Sequence, residues 1–93
     1  MNSSDQTGTD ASGTLRILFF SAARKAAGVS EMTIPCLNPV KADEVWKALL
    51  QAQPDLAPLR GGVRLTRNGE FATDQTQFHP GDEVALIPPV SGG

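Results

Sequence analysis

Residues Gly81 to Gly93 read GDEVALIPPVSGG. Pro80, Gly81 and Asp82 are turn residues, and they lead into the apolar run Glu83 to Pro88. A short apolar run bounded by turn signals reads as a buried strand rather than a helix. Pro88 and Pro89 then stop it, because proline has no N–H for a ladder and holds φ near −65°. The last residues, Val90-Ser91-Gly92-Gly93, carry little side chain. The sequence therefore joins a buried strand directly to a stiff, narrow extension.

At the other end of the fold, Leu15 to Phe20 (LRILFF) alternates Leu15, Ile17 and Phe19 against Arg16, Leu18 and Phe20. One face is wholly apolar and the other mostly so, which suits a central strand. Ser21 to Gly28 (SAARKAAG) predicts a short Ala-rich helix, with Ser21 as N-cap and Gly28 as its stop. Val29 to Pro35 predicts a second strand beginning near Glu31, with Met32 and Ile34 inward. The main helix follows, with Asn38 as cap, Pro39 at its first position and Pro54 as its end. Ala42, Val45, Trp46, Leu49 and Leu50 share one stripe at helical spacing, so Trp46 reads as a core anchor. Residues 55–62 (DLAPLRGG) form a turn-rich connection. Val63 to Thr66 and Glu70 to Thr73 pair across an Asn68-Gly69 turn, where positive φ is needed. One long helix crossing four or five strands, with a short helix after the first, is an α+β fold of two layers. The order suits a β-grasp arrangement with its first and last strands side by side. We expect a disordered tail over 1–13, a domain over 14–87 and a functional tail over 88–93.

Composition excludes several function classes. A chain of 93 residues with net charge −2 lacks the basic patch that nucleic-acid binding requires. No apolar run approaches the roughly 20 residues of a membrane span, and Met1 to Gly13 does not read as a secretory signal. One cysteine, Cys36, cannot form an internal disulfide, which fits a reducing cytoplasmic setting. It lies between Pro35 and Leu37 with no nearby cation to favour the thiolate, so it reads as a small core residue. One His and one Cys cannot make a metal site. His79 reads as a solvated turn residue. Gly61-Gly62 lacks the Lys and helix of a phosphate loop. By its side chains the chain is not an enzyme on its own, and no cofactor is expected to bind it.

What remains is the end group. A stiff Pro88-Pro89 exit reduces the entropy lost when a partner captures the tail. Gly92 and Gly93 have no Cβ, so they can thread a narrow channel and leave a terminal carboxylate unhindered. A partner can activate such a carboxylate as an acyl-adenylate, which another nucleophile then displaces.

The chain resembles the sulfur-carrying small subunits of molybdopterin synthase, a ubiquitin-like β-grasp family. The resemblance spans roughly residues 15 to 93. It rests on Ile17-Leu18-Phe19-Phe20 with Arg24 and Gly28, on Asn68-Gly69, and above all on Gly81 to Gly93. It implies an E1-like adenylating enzyme that uses ATP on Gly93. Sulfur from a cysteine desulfurase or rhodanese would then give a thiocarboxylate. The tail would enter the large subunit of the synthase and pass sulfur to a cyclic pyranopterin precursor, a pair of loaded carriers serving each product. Gly93 would be the reacting residue and Gly92 the clearance. Pro88, Pro89, Val90 and Ser91 would lie in the partner's tunnel. Arg24, Leu86 and Ile87 would lie at the docking surface, Ile87 standing where the family often has an aromatic. Three other readings stay open: a carrier for thiamine or cysteine synthesis, a ubiquitin-like protein modifier, and an interaction module with an inert tail.

Overall fold

The structure, a computed structural model, describes residues 13–88. The strand expected over Leu15–Phe20 is β1, Thr14–Phe19. It is followed by α1 (Ser21–Ala27), β2 (Glu31–Pro35), the two-residue β3 (Val40–Lys41) and α2 (Ala42–Ala52). A 3-10 segment, Pro54–Gly62, leads into β4 (Arg64–Arg67), β5 (Glu70–Phe71), β6 (Gln77–Phe78) and β7 (Glu83–Ile87). Five strands form one mixed sheet in the order β2-β1-β7-β4-β5, and β3 pairs with β6 apart from it. β1 and β7 run parallel, with Ile17 opposite Val84 and Phe19 opposite Leu86. The expected adjacency of first and last strands holds, and β7 is the middle strand.

The sheet buries one face. Leu15, Ile17, Phe19, Leu65, Val84 and Leu86 point into a single core with Val45, Trp46 and Leu49 of α2, Leu56 of the 3-10 segment, and Phe78. Ala42 and Leu50 are half-buried at the edge of that helix stripe. Nine side chains in this core are essentially without solvent contact. Each is worth about 1.5–3 kcal/mol relative to exposure, so the helix-on-sheet contact dominates the fold's stability.

Two local expectations are corrected. Asn38 does not cap α2, and Pro39 is not its first residue. The chain instead makes β3, with Val40 opposite Phe78 and Lys41 opposite Gln77, and the helix begins at Ala42. Glu44 accepts a hydrogen bond from the Lys41 N–H at 3.1 Å, and Asp43 and Glu44 suit the positive end of the helix dipole. Ser21 does not cap α1 either. Phe20 is the N-cap, and Ser21, with φ 50°, turns the chain into the helix. The turn-rich connection 55–62 takes the form of a 3-10 segment that starts at Pro54 and buries Leu56. α1 stops as expected. Gly28 takes φ 79° and its N–H donates to the Arg24 carbonyl at 2.9 Å, a conformation that costs other residues more.

Among the described residues no helix is long and apolar enough to cross a membrane, and no three His, Cys, Asp or Glu residues could hold a metal ion.

Candidate functional site

The tail follows the middle strand of the sheet. β7 is hydrogen-bonded on both sides, to β1 and to β4. Its last ladder pair is Ile87 with Arg64. Pro88 follows and, lacking an N–H, cannot extend the ladder. Pro88 is half-buried. Pro89, Val90, Ser91, Gly92 and Gly93 lie outside the described residues, as do residues 1–12 of the expected N-terminal tail.

The turn feeding β7 is locked by a buried carboxylate. Asp82 is 9% exposed. It accepts hydrogen bonds from Arg67 Nε, from Asn68 Nδ2 at 3.0 Å and from the His79 N–H at 2.7 Å. Burial alone would raise its pKa. The hydrogen bonds from Arg67, His79 and Asn68 outweigh that and hold it below the usual carboxylate range. Asn68 takes φ 50° in the hairpin turn, and its Oδ1 accepts from the Glu83 N–H at 2.8 Å. The Asn68-Gly69 turn and the Gly81-Asp82-Glu83 turn are thus one hydrogen-bonded unit, which fixes where β7 starts.

The open face of the sheet is divided. At the end where β7 begins, Arg16 bridges Glu31 at 3.2 Å and Glu83 at 3.1 Å. These exposed pairs contribute little stability, but they make that end polar. Further along, register places Leu18, Ala85, Thr66 and Phe71 in one row across four strands. The extended backbone of Phe20 continues the alternation of β1 onto this face. Phe20 is 45% and Phe71 54% exposed, and the Arg64 guanidinium stacks 4.1 Å above the Phe71 ring. With half-buried Ile87, these residues make an apolar patch beside the root of the tail.

The three expected docking residues therefore separate. Ile87 lies on the open face and Arg24 is exposed on α1. Leu86 is fully buried, because strand alternation turns it towards α2, so it is corrected to a core residue. Phe20, Leu18 and Phe71 were missed as surface candidates. The available signal was the second apolar face of LRILFF, which also fits a strand covered on both sides.

Arg24 and Lys25 have no carboxylate partner among the described residues. They border hollows with Ser21, Ala22 and Gly28. Ser21 and Ala22 also line a groove of about 560 Å³ with Pro58, Leu59, Gly62, Val63 and Pro88. Cys36 is buried and its Sγ lies 3.3 Å from the Asn38 carbonyl. Burial, with Asp82 and Glu44, pushes its thiol above the usual range, the opposite of an activated nucleophile.

A ThiS family model matches residues 17–93. The human protein named molybdopterin synthase sulfur carrier subunit is 33% identical over 82 residues, covering 85% of this chain and 93% of that one. The crystal structure of small archaeal modifier protein 1 from H. volcanii superposes with a TM-score of 0.74 at 26% identity, covering 84% of this chain and 99% of that one. A chain from the complex of subunits 1 and 2 of molybdopterin-converting factor from Helicobacter pylori shares the fold, with a TM-score of 0.62 at 23% identity over 86% of this chain and 99% of that one.

Proposed function

Since this chain belongs to the ThiS family, we propose that it is a sulfur carrier, the small subunit of a molybdopterin synthase. The observation that carries this reading is the mounting of the Gly-Gly tail. The central strand β7 ends beside an apolar patch and leads through Pro88 to the segment that carries Gly92 and Gly93. The carrier name of the human relative supports the pathway.

In this reading an E1-like enzyme binds ATP, and the Gly93 carboxylate attacks its α-phosphate. An acyl-adenylate forms and pyrophosphate leaves. A persulfide sulfur, loaded by a cysteine desulfurase or rhodanese, displaces AMP to give an acyl disulfide, and a second thiol attacks the outer sulfur of that bond, forming a disulfide with it and releasing the thiocarboxylate. The sulfur then passes to the cyclic pyranopterin precursor in the large subunit and the carboxylate is regenerated. The carrier contributes no general acid or base. Its residues position the end group: the double proline stiffens the exit, and Gly92 and Gly93 allow threading. The patch of Phe20, Leu18, Ile87 and Phe71, with Arg24 nearby, meets the partner. We propose that this loading takes place in the cytoplasm.

A protein-modifier reading has one observation in its favour, the modifier name of the H. volcanii structure. There a lysine amine, rather than sulfur, would displace AMP. The test is complementation of a strain lacking its own carrier. The full chain restores molybdopterin synthesis and the chain without Gly93 does not. Restored synthesis without Gly92 and Gly93 would overturn the carrier reading. High-mass conjugates that vanish with Gly93, without restored synthesis, would replace it with the modifier.

A further inference from the structure

The lock at the start of β7 holds a chemically labile pair that the transfer chemistry does not use. Asn68 and Gly69 are both exposed, and no atom lies within 4 Å of where a Cβ on Gly69 would stand. Glycine leaves its own backbone nitrogen unshielded, and that nitrogen can attack the side-chain carbonyl carbon of the asparagine before it. A new N–C bond closes a succinimide ring, and the Nδ2 nitrogen leaves as ammonia with the proton of the Gly69 N–H. Water then opens the ring. Cleavage at the former side-chain carbon gives aspartate, and cleavage at the backbone carbon gives isoaspartate, with no oxidant or reductant needed. The fold opposes this reaction. The Asn68 N–H donates to the Glu83 carbonyl at 2.8 Å, its Oδ1 accepts from the Glu83 N–H at 2.8 Å, and its Nδ2 donates to Asp82 at 3.0 Å. Ring closure must break the last of these, because Nδ2 is the leaving group. Asp82 is fixed in turn by Arg67 and the His79 N–H.

We propose that Asn68 is a site of spontaneous deamidation, that its hydrogen bonds to Asp82 and Glu83 hold the reaction off in the intact fold, and that conversion to aspartate or isoaspartate releases the turn that starts β7. The product carries a carboxylate oxygen where the Nδ2 donor stood. Two carboxylates then face each other in place of a 3.0 Å hydrogen bond, with Arg67 as their shared cation, and like charges at that distance oppose each other. Isoaspartate also adds a methylene to the backbone between β4 and β5, which disturbs the Thr66–Phe71 and Arg67–Glu70 pairing. No group of the chain reverses the hydrolysis, so the modified fraction rises with the age of the protein. This inference does not depend on the carrier reading.

The test holds the full chain in warm, mildly alkaline buffer, folded and in urea, beside Asp82→Ala and Leu49→Ala. Samples are digested with pepsin at low pH, where the reaction stops, and peptide masses locate the gain of about 1 Da as an amide becomes a carboxyl. Asn68 is expected to convert at least about tenfold more slowly in the folded chain than in urea. It should convert about three- to tenfold faster in Asp82→Ala than in folded wild type, the range that one lost hydrogen bond supports. Leu49→Ala weakens the core without touching the lock, so it should convert at close to the wild-type rate, and circular dichroism checks that each variant is folded. No conversion in urea would overturn the site. Equal rates folded and in urea, or in Asp82→Ala and wild type, would overturn the guard. Equal acceleration in Leu49→Ala and Asp82→Ala would overturn it in favour of global unfolding as the route. Asn68→Asp tests the consequence. It should lower Tm by about 5–15 °C, and melting with wild type would overturn release of the turn.

Discussion

Replacing Asp82 tests whether the two turns act as one lock. Its carboxylate accepts from Arg67, Asn68 and the His79 N–H, and its side chain is 12% exposed. Hydrogen bonds to a charged group are worth about 1.5–3 kcal/mol each. Three cannot be summed, because the Arg67 side chain is 38% exposed and keeps much of its hydration. We expect Asp82→Ala to cost about 2–4 kcal/mol, below the 3–5 kcal/mol typical of breaking a fully buried pair. For a domain of this size that lowers Tm by about 10–25 °C. Asp82→Asn keeps the shape and loses the charge, so it should cost less. Its deficit must also depend on pH. The folded pKa of Asp82 is lowered, so its contribution is complete above the unfolded value of about 3.9 and is lost as pH falls through the folded value. Urea titrations of wild type and Asp82→Asn from pH 7 to pH 2 should show a constant gap down to about pH 4, narrowing below it. A gap that stays constant to pH 2, or an Asp82→Ala variant that melts with wild type, would refute the lock.

Leu49 has no solvent contact, so Leu49→Ala should cost about 2–5 kcal/mol in urea unfolding; an unchanged midpoint would mean the helix stripe carries little of the core. Gly28 has open space where a Cβ would stand, so Gly28→Ala should cost only the left-handed conformation, about 1–2 kcal/mol by the same measurement. Phe20→Asp should melt normally and weaken capture by the large subunit about tenfold or more, read by titration calorimetry, since it charges the centre of an apolar contact. One residue added after Gly93 should abolish thiocarboxylate formation while leaving the melting curve unchanged, because the reacting group is displaced and the fold is untouched.

The architecture was legible wherever burial is periodic along the chain. Leu15, Ile17 and Phe19 against Val84 and Leu86 gave the two paired central strands, and Val45, Trp46 and Leu49 gave the helix face. What local patterns missed depends on distant partners. Asn38-Pro39 has good capping chemistry, but pairing of Val40 with Phe78 holds the chain extended until Ala42. Ser21 has capping chemistry too, and instead turns through φ 50°. Leu86 was assigned to the docking surface through the family resemblance alone, whereas its alternation with Val84 along the strand puts it in the core. Asp82 looked like an ordinary turn residue, since its partners Arg67 and Asn68 come from another hairpin. Pro89 to Gly93 lie outside the described residues, so the tail's chemistry remains a reading from its residue types.

The most direct measurement is the intact mass of this protein purified from cells with a working sulfur-transfer pathway. The account predicts a fraction heavier by about 16 Da, sulfur in place of oxygen at an acyl terminus, which disappears on mild hydrolysis and never forms without Gly93. An unmodified mass, even after incubation with ATP, the E1-like enzyme and a sulfur donor, would contradict it.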